Sequence, residues 1–250
     1  HVEQALQLKA ECPKLEHVIV MEGSAGDHPG VLSWSQFLSL GVDDHEDAVS
    51  ERMHAITEQT VGTLIYTSGT TGPPKAVMLT HGNLAWSSAM LCEMFDSRPG
   101  DRTLSYLPIA HVAEQQSSVH NHVTSGATLY FARSMDQLAE DIQSVKPTVF
   151  FGVPRVWEKM HETLRARLSE ATGTKAKLAA WAMNTAKEWN RVKMDGKTPG
   201  PLLNFQKSLA EGLVLKKIKA ALGLDESRLL ISGAAPISPE VLWFFAGLDL

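Results

Sequence analysis

Short apolar runs alternate along the chain with longer segments in which apolar residues recur at helical spacing. The runs are rich in β-branched and aromatic side chains, which favours buried strands. They lie at 15–21, 63–67, 76–79, 103–106, 128–131, 148–151 and 228–231. Amphipathic helical patterns occupy 83–95, 112–124 and 135–145. Because strands and helices alternate, the pattern predicts an α/β fold of mainly parallel sheet with layers of flanking helices.

The pattern of apolar residues changes after Pro154, from short strand-like runs to helical spacing. Three successive segments carry apolar residues at intervals of three and four, and the first two are marked by Val156, Leu164, Leu178 and Trp189. Such spacing is typical of amphipathic helices. The sequence therefore predicts a long helical insert at about 154–222, ahead of the last strand.

Turn residues cluster at 97–101, where helical periodicity stops and a new strand begins. This punctuation predicts two αβ lobes, 1–99 and 100–250, with the helical insert in the second. A third feature, the acidic stretch 43–51, lacks the spacing of a ligand set and is interpreted as a solvated linker or helix face.

Composition and charge narrow the class of protein. The 250 residues are 44% hydrophobic, and the formal net charge is −5 with Lys and Arg scattered, which argues against nucleic acid as the main partner. Cys12 and Cys92 form no CxxC pair, so neither a disulfide framework nor a thiolate zinc site is indicated, and we expect no metal site. No apolar run approaches the roughly 20 residues of a membrane-spanning helix. We expect a cytoplasmic protein, with peripheral membrane attachment left open.

The segment from Thr67 to Lys75 has the composition of a phosphate-binding loop. Its glycines permit unusual backbone angles and leave N–H groups uncovered, its hydroxyls add donors, and Lys75 supplies positive charge. The spacing G-x-x-G-x-x-K differs from a Walker A loop, which has four residues between its glycines. An exposed Gly/Thr/Pro hairpin with a solvated lysine is the alternative. The candidate ligand residues are Thr67, Ser68, Gly69, Thr70, Thr71, Gly72 and Lys75.

The run YTSGTTGPPKAVMLTHGNL, which begins at Tyr66, resembles the signature of the adenylate-forming superfamily of acyl-CoA synthetases, luciferases and peptide-synthetase adenylation domains. Two further segments follow in that family's order. LPIAH, ending at His111, resembles its acyl-site motif, and SGAAP, ending at Pro236, resembles its nucleotide-proximal loop. LPIAHVAEQ, GVPRVWEKM and the helical insert are together most similar to long-chain fatty acyl-CoA synthetases, including the bubblegum-type branch.

The resemblance implies a ligase that joins a fatty acid to coenzyme A through an acyl-AMP formed from ATP, with Mg²⁺ as cofactor. It implies catalytic roles for Lys75, Thr70, Thr71 and His111, and contact of His111 and Trp157 with the acyl substrate. It also implies a nucleotide-binding role for Gly233, Ala234, Ala235 and Pro236.

Plainer interpretations stand beside these roles. His111 could be a polar cap on the helix that follows, and Trp157 could be ordinary core packing. A turn such as Gly233 to Pro236 is commonplace on its own. The family generally has Gly after the loop lysine, where this chain has Ala76, which would be strained at positive φ and only stiffening at negative φ.

The chain ends at Leu250, before the family segment whose Glu serves magnesium, before the ribose-binding Asp, and before the small domain that carries the adenylation lysine. We therefore expect an enzyme fragment with two incomplete lobes, inactive in isolation. Two alternatives remain open: a ligase for another carboxylic acid, aryl or short-chain, and a non-catalytic truncated homologue.

Overall fold

The computed structural model describes residues 2–41, 46–67 and 73–250. The chain forms two compact units, His1–Thr57 and Glu58–Leu250. Positions 99 and 100 both belong to the second unit, so the lobe boundary expected there stays a prediction.

The first unit contains two short parallel strands and three helices. Val18 pairs with Val31, and Ser33 caps the second helix by accepting a 3.2 Å hydrogen bond from the Gln36 backbone N–H. The helices here bury no residue, so their apolar spacing carried little signal. The elements are α1 (Val2–Glu11), β1 (Val18–Val20), β2 (Val31–Ser33), α2 (Trp34–Ser39) and α3 (Glu46–His54). Helix α3 covers most of the acidic stretch, and residues 43–45 of that stretch lie outside the described residues.

The second unit opens with a hairpin of β3 (Val61–Thr67) and β4 (Lys75–Thr80), followed by α4 (His81–Met94). The strands pair antiparallel, with Thr67 opposite Lys75. A short connection permits only this direction, since parallel strands need a crossover of a dozen or more residues. The hairpin is therefore an exception to the mainly parallel sheet that the pattern predicts.

Four strands build the parallel part of the second unit: β5 (Arg102–Ser105), β6 (Thr128–Phe131), β7 (Val149–Gly152) and β8 (Leu229–Ser232). β5 pairs with β6 and β7 pairs with β8, both in parallel. The Thr148 N–H donates to the Arg102 carbonyl at 3.0 Å, and the Val153 N–H donates to the Tyr106 hydroxyl at 3.0 Å. β5 and β7 thus lie side by side at both their starts and their ends, which places the two-stranded parallel ladders β6-β5 and β7-β8 next to each other.

Helices fill the connections between these strands. One segment runs through α5 (Val112–Gln115), a π-helical turn (Gln116–His120) and α6 (Asn121–Ser125). The other helices are α7 (Leu138–Val145), α8 (Pro154–Ser169), α9 (Gly173–Met194), α10 (Pro201–Ala210), a second π-helical turn (Glu211–Leu215), α11 (Lys216–Leu222) and α12 (Pro239–Gly247). The predicted helical insert at 154–222 corresponds to α8 through α11. The α/β class is confirmed.

The core of the second unit is organised around Phe150 and Trp157. Phe150 is fully buried and stacks on Tyr106, with ring centroids 5.9 Å apart. The Trp157 ring meets Phe150 and Phe245 edge-on at 5.5 and 5.1 Å. Aromatic pairs of this geometry each contribute about 1 kcal/mol beyond the area that they bury. These contacts fix α8 and α12 to the sheet.

A dense set of polar contacts closes the amino edge of the parallel sheet, where β5, β7 and β8 begin. The Asp101 carboxylate accepts hydrogen bonds from Arg228 at 2.5 and 2.9 Å and from the Thr148 hydroxyl at 2.8 Å. These contacts, led by the Arg228 guanidinium, lower the pKa of Asp101 to about 2. Arg102 adds a 2.7 Å ion pair with Glu226. Residues more than a hundred positions apart in sequence are joined here.

Candidate functional site

The three motifs that resemble the adenylate-forming family leave the sheet at one edge. LPIAH follows β5, GVPRVW begins at the end of β7, and SGAAP begins at the end of β8. Because these strands are parallel, their carboxyl ends lie along one side of the sheet. Open α/β sheets bind ligands at that side. We call it the carboxyl edge, and it is the candidate functional site.

The loop after β8 has unusual backbone geometry. Ala234 has a φ of 71°, in the left-handed region that disfavours residues with a Cβ atom. A Cβ at Gly233 would lie 3.0 Å from the Phe151 ring, so glycine lets this backbone approach β7 closely. Left-handed non-glycine residues cluster at ligand sites, where the surrounding structure maintains the strain. The loop backbone is therefore held in one shape before any ligand arrives.

Ser232, at the end of β8, is a site residue that the sequence analysis did not single out. Its hydroxyl oxygen is buried and has no hydrogen-bond partner among the described residues. An unpaired buried hydroxyl costs about 1–3 kcal/mol, so one at a strand exit is a candidate ligand contact. The motif SGAAP contained the residue, but no sequence signal distinguished its hydroxyl from any other.

His111 lies at the start of α5 and is exposed. Its Nδ1 accepts a 3.1 Å hydrogen bond from the Ala113 backbone N–H, so His111 is the polar cap that the alternative interpretation described. The same bond leaves Nε2 as the ring nitrogen that can reach a ligand. Capping and substrate contact are therefore compatible, and the substrate role stays a prediction.

Glu114 is a second residue that the sequence did not reveal. It is only 3% exposed, and its Oε1 accepts hydrogen bonds from the Ser105 and Ser118 hydroxyls at 2.5 and 2.6 Å. Burial raises the pKa of the nearby Tyr106, and the Glu114 charge adds to that effect. A carboxylate in the first turn of a helix looks like a surface residue in the sequence, so only the fold shows that it is buried.

A cavity of about 210 Å³ lies between this face of the sheet and the helical segment 112–125. Its wall is largely apolar and includes Leu104, Phe151 and Ile231. Gln116 and His122 also contribute to the wall, and each has a buried side-chain nitrogen without a partner in the described residues. A mostly apolar cavity with a few polar groups has the composition of a small-molecule site.

Trp157 lies directly beneath the carboxyl edge. It is 4% exposed, and its indole N–H donates to the carbonyls of Gly152 at 3.0 Å and Ile231 at 3.3 Å. A Cβ at Gly152 would come within 2.4 Å of the indole nitrogen, so the ring occupies space that only glycine leaves free. The ring packs in the core, as the plainer interpretation holds, and its contact with an acyl group stays a prediction.

The candidate phosphate loop is anchored by the hairpin. Thr67 pairs with Lys75 across β3 and β4, and the Thr67 hydroxyl donates to the Lys75 carbonyl at 3.5 Å. Lys75 is exposed, so its ammonium group can reach an anion. Ala76 lies within β4, opposite Tyr66, and is not among the residues with positive φ, so the strain considered for it does not arise. The other candidate loop residues, Ser68, Gly69, Thr70, Thr71 and Gly72, lie outside the described residues.

Two features are absent from residues 2–41, 46–67 and 73–250. These ranges contain no group of three or more His, Cys, Asp or Glu side chains that could hold a metal ion. They also contain no helix of the length and apolar character needed to cross a membrane.

Comparison with known proteins identifies the family. The family model described as AMP-binding enzyme matches residues 2–248. The long-chain-fatty-acid–CoA ligase ACSBG2 of Xenopus laevis is 35% identical over all of this chain, and that of Gallus gallus is 37% identical over 99% of it. The chain covers 34% and 33% of these two relatives, so it spans about a third of their length. The putative fatty-acid–CoA ligase fadD11 of Mycobacterium tuberculosis is 35% identical over 89% of the chain, which covers 39% of that protein.

Solved structures agree on the fold. The adenylation domain of a carboxylate reductase from Mycobacterium chelonae superposes with a TM-score of 0.63 at 20% identity, over 99% of this chain and 36% of that one. The resemblance to the adenylate-forming superfamily, and within it to long-chain fatty acyl-CoA synthetases, is confirmed. The chain belongs to the family of AMP-binding enzymes.

Proposed function

We propose that the chain is the phosphate-binding and acyl-binding part of an ATP-dependent long-chain fatty acid–CoA ligase. The observation that carries the proposal is the arrangement of LPIAH, GVPRVW and SGAAP along one carboxyl edge, beside an apolar cavity. The named function of relatives that match the whole chain at 35–37% identity supports it.

The reaction has two steps. In the first, a carboxylate oxygen of the fatty acid attacks the α-phosphorus of ATP, the bond to the bridging oxygen breaks, and pyrophosphate leaves. In the second, the thiol of coenzyme A loses its proton and attacks the acyl carbonyl, and AMP leaves with the electrons of the C–O bond. The first step builds negative charge on pyrophosphate, and preorganised donors and cations stabilise such charge best.

Different residues bind the phosphates, the carboxylate, the nucleotide and the acyl chain. Lys75, Thr70 and Thr71, with the backbone of Thr67, Ser68, Gly69 and Gly72, hold the phosphates and stabilise the leaving pyrophosphate. His111 contacts the reacting carboxylate through Nε2. The loop of Gly233, Ala234, Ala235 and Pro236 contacts the nucleotide, and Ser232 joins it. The apolar cavity holds the acyl chain, and Trp157, which is not among the residues that line the cavity, contacts the acyl group at the carboxyl edge. Mg²⁺ accompanies ATP and shields phosphate charge when bound, and no residue of this chain is assigned to it.

Pyrophosphate exchange in the full natural polypeptide that carries this chain tests the proposal. We expect exchange that depends on added acid and rises with acyl length, followed by AMP release that depends on coenzyme A. A preference for aryl or short-chain acids would replace the substrate class, and absence of exchange with every acid would overturn the proposed function.

Lys75→Ala gives a residue-level test of the same step. Loss of one preorganised contact to the leaving group should slow exchange roughly a hundredfold, or by about 2.7 kcal/mol in the barrier. Lys159→Ala, an exposed lysine on α8, serves as the matched control and should leave the rate unchanged. An equal rate in Lys75→Ala and wild type would remove Lys75 from the mechanism.

A further inference from the structure

The cavity under the helical segment 112–125 contains polar groups that a plain alkyl chain cannot satisfy. Three of the residues in its wall have a buried side-chain atom without a hydrogen-bond partner in the described residues: Thr103 Oγ1, Gln116 Nε2 and His122 Nδ1. The Ser87 hydroxyl lies 3.1 Å from Gln116 Oε1, which orients the amide of that side chain. Buried polar groups nearly always have a partner in native proteins. Three unpaired groups in one cavity therefore point to a ligand with a hydrogen-bonding group of its own.

Glu114 adds a charged acceptor to the same wall. Its side chain is almost completely buried and lines the cavity. The hydroxyls of Ser105 and Ser118 both donate to Oε1, and the other oxygen, Oε2, accepts no hydrogen bond among the described residues. An ionised carboxylate is a strong acceptor for an O–H donor, and the bonds to Oε1 already fix its position.

The depth of these groups follows from the direction of β5 and of the helical segment. Thr103 and Ser105 lie on the same side of β5, since alternate residues of a strand share a face. Ser105 contacts Glu114, so this side faces the helical segment. Thr103 is about 7 Å farther from the carboxyl edge than Ser105. The helical segment runs back from the carboxyl edge to the start of β6, which is parallel to β5, so His122 also lies deeper than Glu114.

The unpaired groups require both a donor and an acceptor from the ligand. Glu114 can only accept when ionised, Gln116 Nε2 can only donate, and the Thr103 hydroxyl can do both. His122 Nδ1 donates or accepts according to the tautomer. A hydroxyl group meets both requirements. A keto oxygen cannot donate to Glu114, an ammonium group cannot accept from Gln116, and an alkyl chain does neither.

We propose that Glu114, Thr103 and His122 bind a hydroxyl group on the hydrocarbon chain of the substrate, so that this cavity prefers hydroxylated long-chain fatty acids. The inference rests on the acyl-binding part of the proposed function, which places the carboxylate at the carboxyl edge and the chain in this cavity. Since Thr103 and His122 lie deep in the cavity, the hydroxyl belongs away from the carboxyl carbon. A site with buried polar groups discriminates against an analogue that lacks the hydroxyl, because those groups then stay unpaired.

Pyrophosphate exchange in the full natural polypeptide, with acids of equal length, tests the preference. The series is stearate and three hydroxystearates, with the hydroxyl next to the carboxyl group, in the middle of the chain or at its methyl end. We expect kcat/KM to be roughly tenfold higher for the mid-chain hydroxyl than for stearate. A hydroxyl next to the carboxyl group should bring no such gain. Equal kcat/KM across the series would overturn the inference and leave the ligase function standing.

Two substitutions connect the preference to the cavity. Thr103→Val keeps the shape of the side chain and removes a hydroxyl that has no partner in the described residues, so the fold should be kept. The ratio of kcat/KM between mid-chain hydroxystearate and stearate should fall to about twofold. Glu114→Gln should lower the ratio in the same direction, and Thr103→Val alone decides the test if the Glu114 variant does not fold.

Thr128→Val is the matched control, since it removes an exposed hydroxyl at the start of β6, outside the cavity wall. Its rates and its ratio between the two acids should equal those of wild type. A wild-type ratio in both cavity variants would overturn the inference. A ratio that falls equally in Thr128→Val would also overturn it, because the effect would then not come from the cavity.

Binding without ATP separates this inference from the proposed reaction. Isothermal titration of the full natural polypeptide compares mid-chain hydroxystearate with stearate below the concentrations at which either acid forms micelles. Tighter binding of hydroxystearate, in a protein that shows no exchange with any acid, would support the hydroxyl site and refute the ligase function. Equal affinities would mean that water satisfies the polar groups of the cavity, and this result would overturn the inference.

Discussion

The two edges of the parallel sheet differ in the contacts that their polar side chains make. At the amino edge, Asp101 and Arg228 join three strand starts through hydrogen bonds of 2.5–2.9 Å. At the carboxyl edge, the Ser232 hydroxyl has no hydrogen-bond partner among the described residues, and Ala234 has a left-handed backbone. Charge-assisted hydrogen bonds that join three strands are concentrated at the amino edge, whereas the carboxyl edge keeps a buried hydroxyl that a ligand can satisfy; left-handed non-glycine backbone occurs at both edges, at Lys146 and at Ala234.

The largest test of this contrast is Asp101→Ala. The substitution removes the carboxylate from a mostly buried ion pair and leaves the Arg228 guanidinium without its partner. The free energy of unfolding should therefore fall by about 3 kcal/mol. Urea unfolding followed by circular dichroism measures the change. Glu188→Ala removes an exposed carboxylate that lies 3.9 Å from the Arg191 guanidinium on α9, away from this network, and it should leave the unfolding midpoint almost unchanged. Equal effects of the two variants would contradict a stabilising amino edge.

The pH dependence of stability gives a somewhat smaller test. The pKa of Asp101 is about 2 in the folded protein and near 3.8 in the unfolded chain, so the unfolded state binds its proton first as the pH falls. The stabilisation is therefore complete above about pH 4 and is lost as the pH falls toward 2. It amounts to about 2 kcal/mol. Urea unfolding between pH 5 and pH 2 should show that the free energy of unfolding falls less steeply in Asp101→Asn than in wild type. Parallel curves would mean that Asp101 does not contribute to the pH dependence of stability.

The smallest effect is expected at the carboxyl edge, for Ala234→Gly. Glycine removes the steric strain of a Cβ atom in the left-handed region, which stabilises the folded state by about 1 kcal/mol. It also increases the conformational entropy of the unfolded chain, which costs a similar amount. The free energy of unfolding should therefore change by about 0.5 kcal/mol or less. Nucleotide affinity should fall more visibly than stability, since the loop is no longer held in one shape. Isothermal titration with AMP, beside urea unfolding of the same sample, separates the two quantities. A large loss of stability with unchanged affinity would mean that Ala234 serves the fold.

The sequence predicted the sheet and most helices of the second unit because apolar periodicity and turn residues are local signals. Helix α9 and strand β6 are examples in which the pattern was strong. It did not predict α1, α2 or β2, which are short or bury no side chain. The antiparallel pairing of β3 and β4 depends on the length of their connection and not on either strand's own pattern.

The sequence predicted residues of the candidate site only where they belong to a recognisable motif. His111, Lys75 and the loop that starts at Gly233 stand in recognisable runs of sequence. Glu114 and Ser232 did not, because burial and the absence of a partner are properties of the fold. The network between Asp101 and Arg228 spans 127 positions, and no local pattern could pair those two residues.

The position of β8 has a consequence for how the protein is made. Ser227, just before β8, donates to the carbonyl of Pro147, just before β7 and 80 residues earlier. At a synthesis rate of about 5–20 residues per second, strand β7 waits on the order of ten seconds for its neighbour. During that interval its open backbone groups are a site for mispairing with other nascent chains. Helices α8 to α11 emerge in that same interval, so they are the part of the chain that can shield β7 on the ribosome.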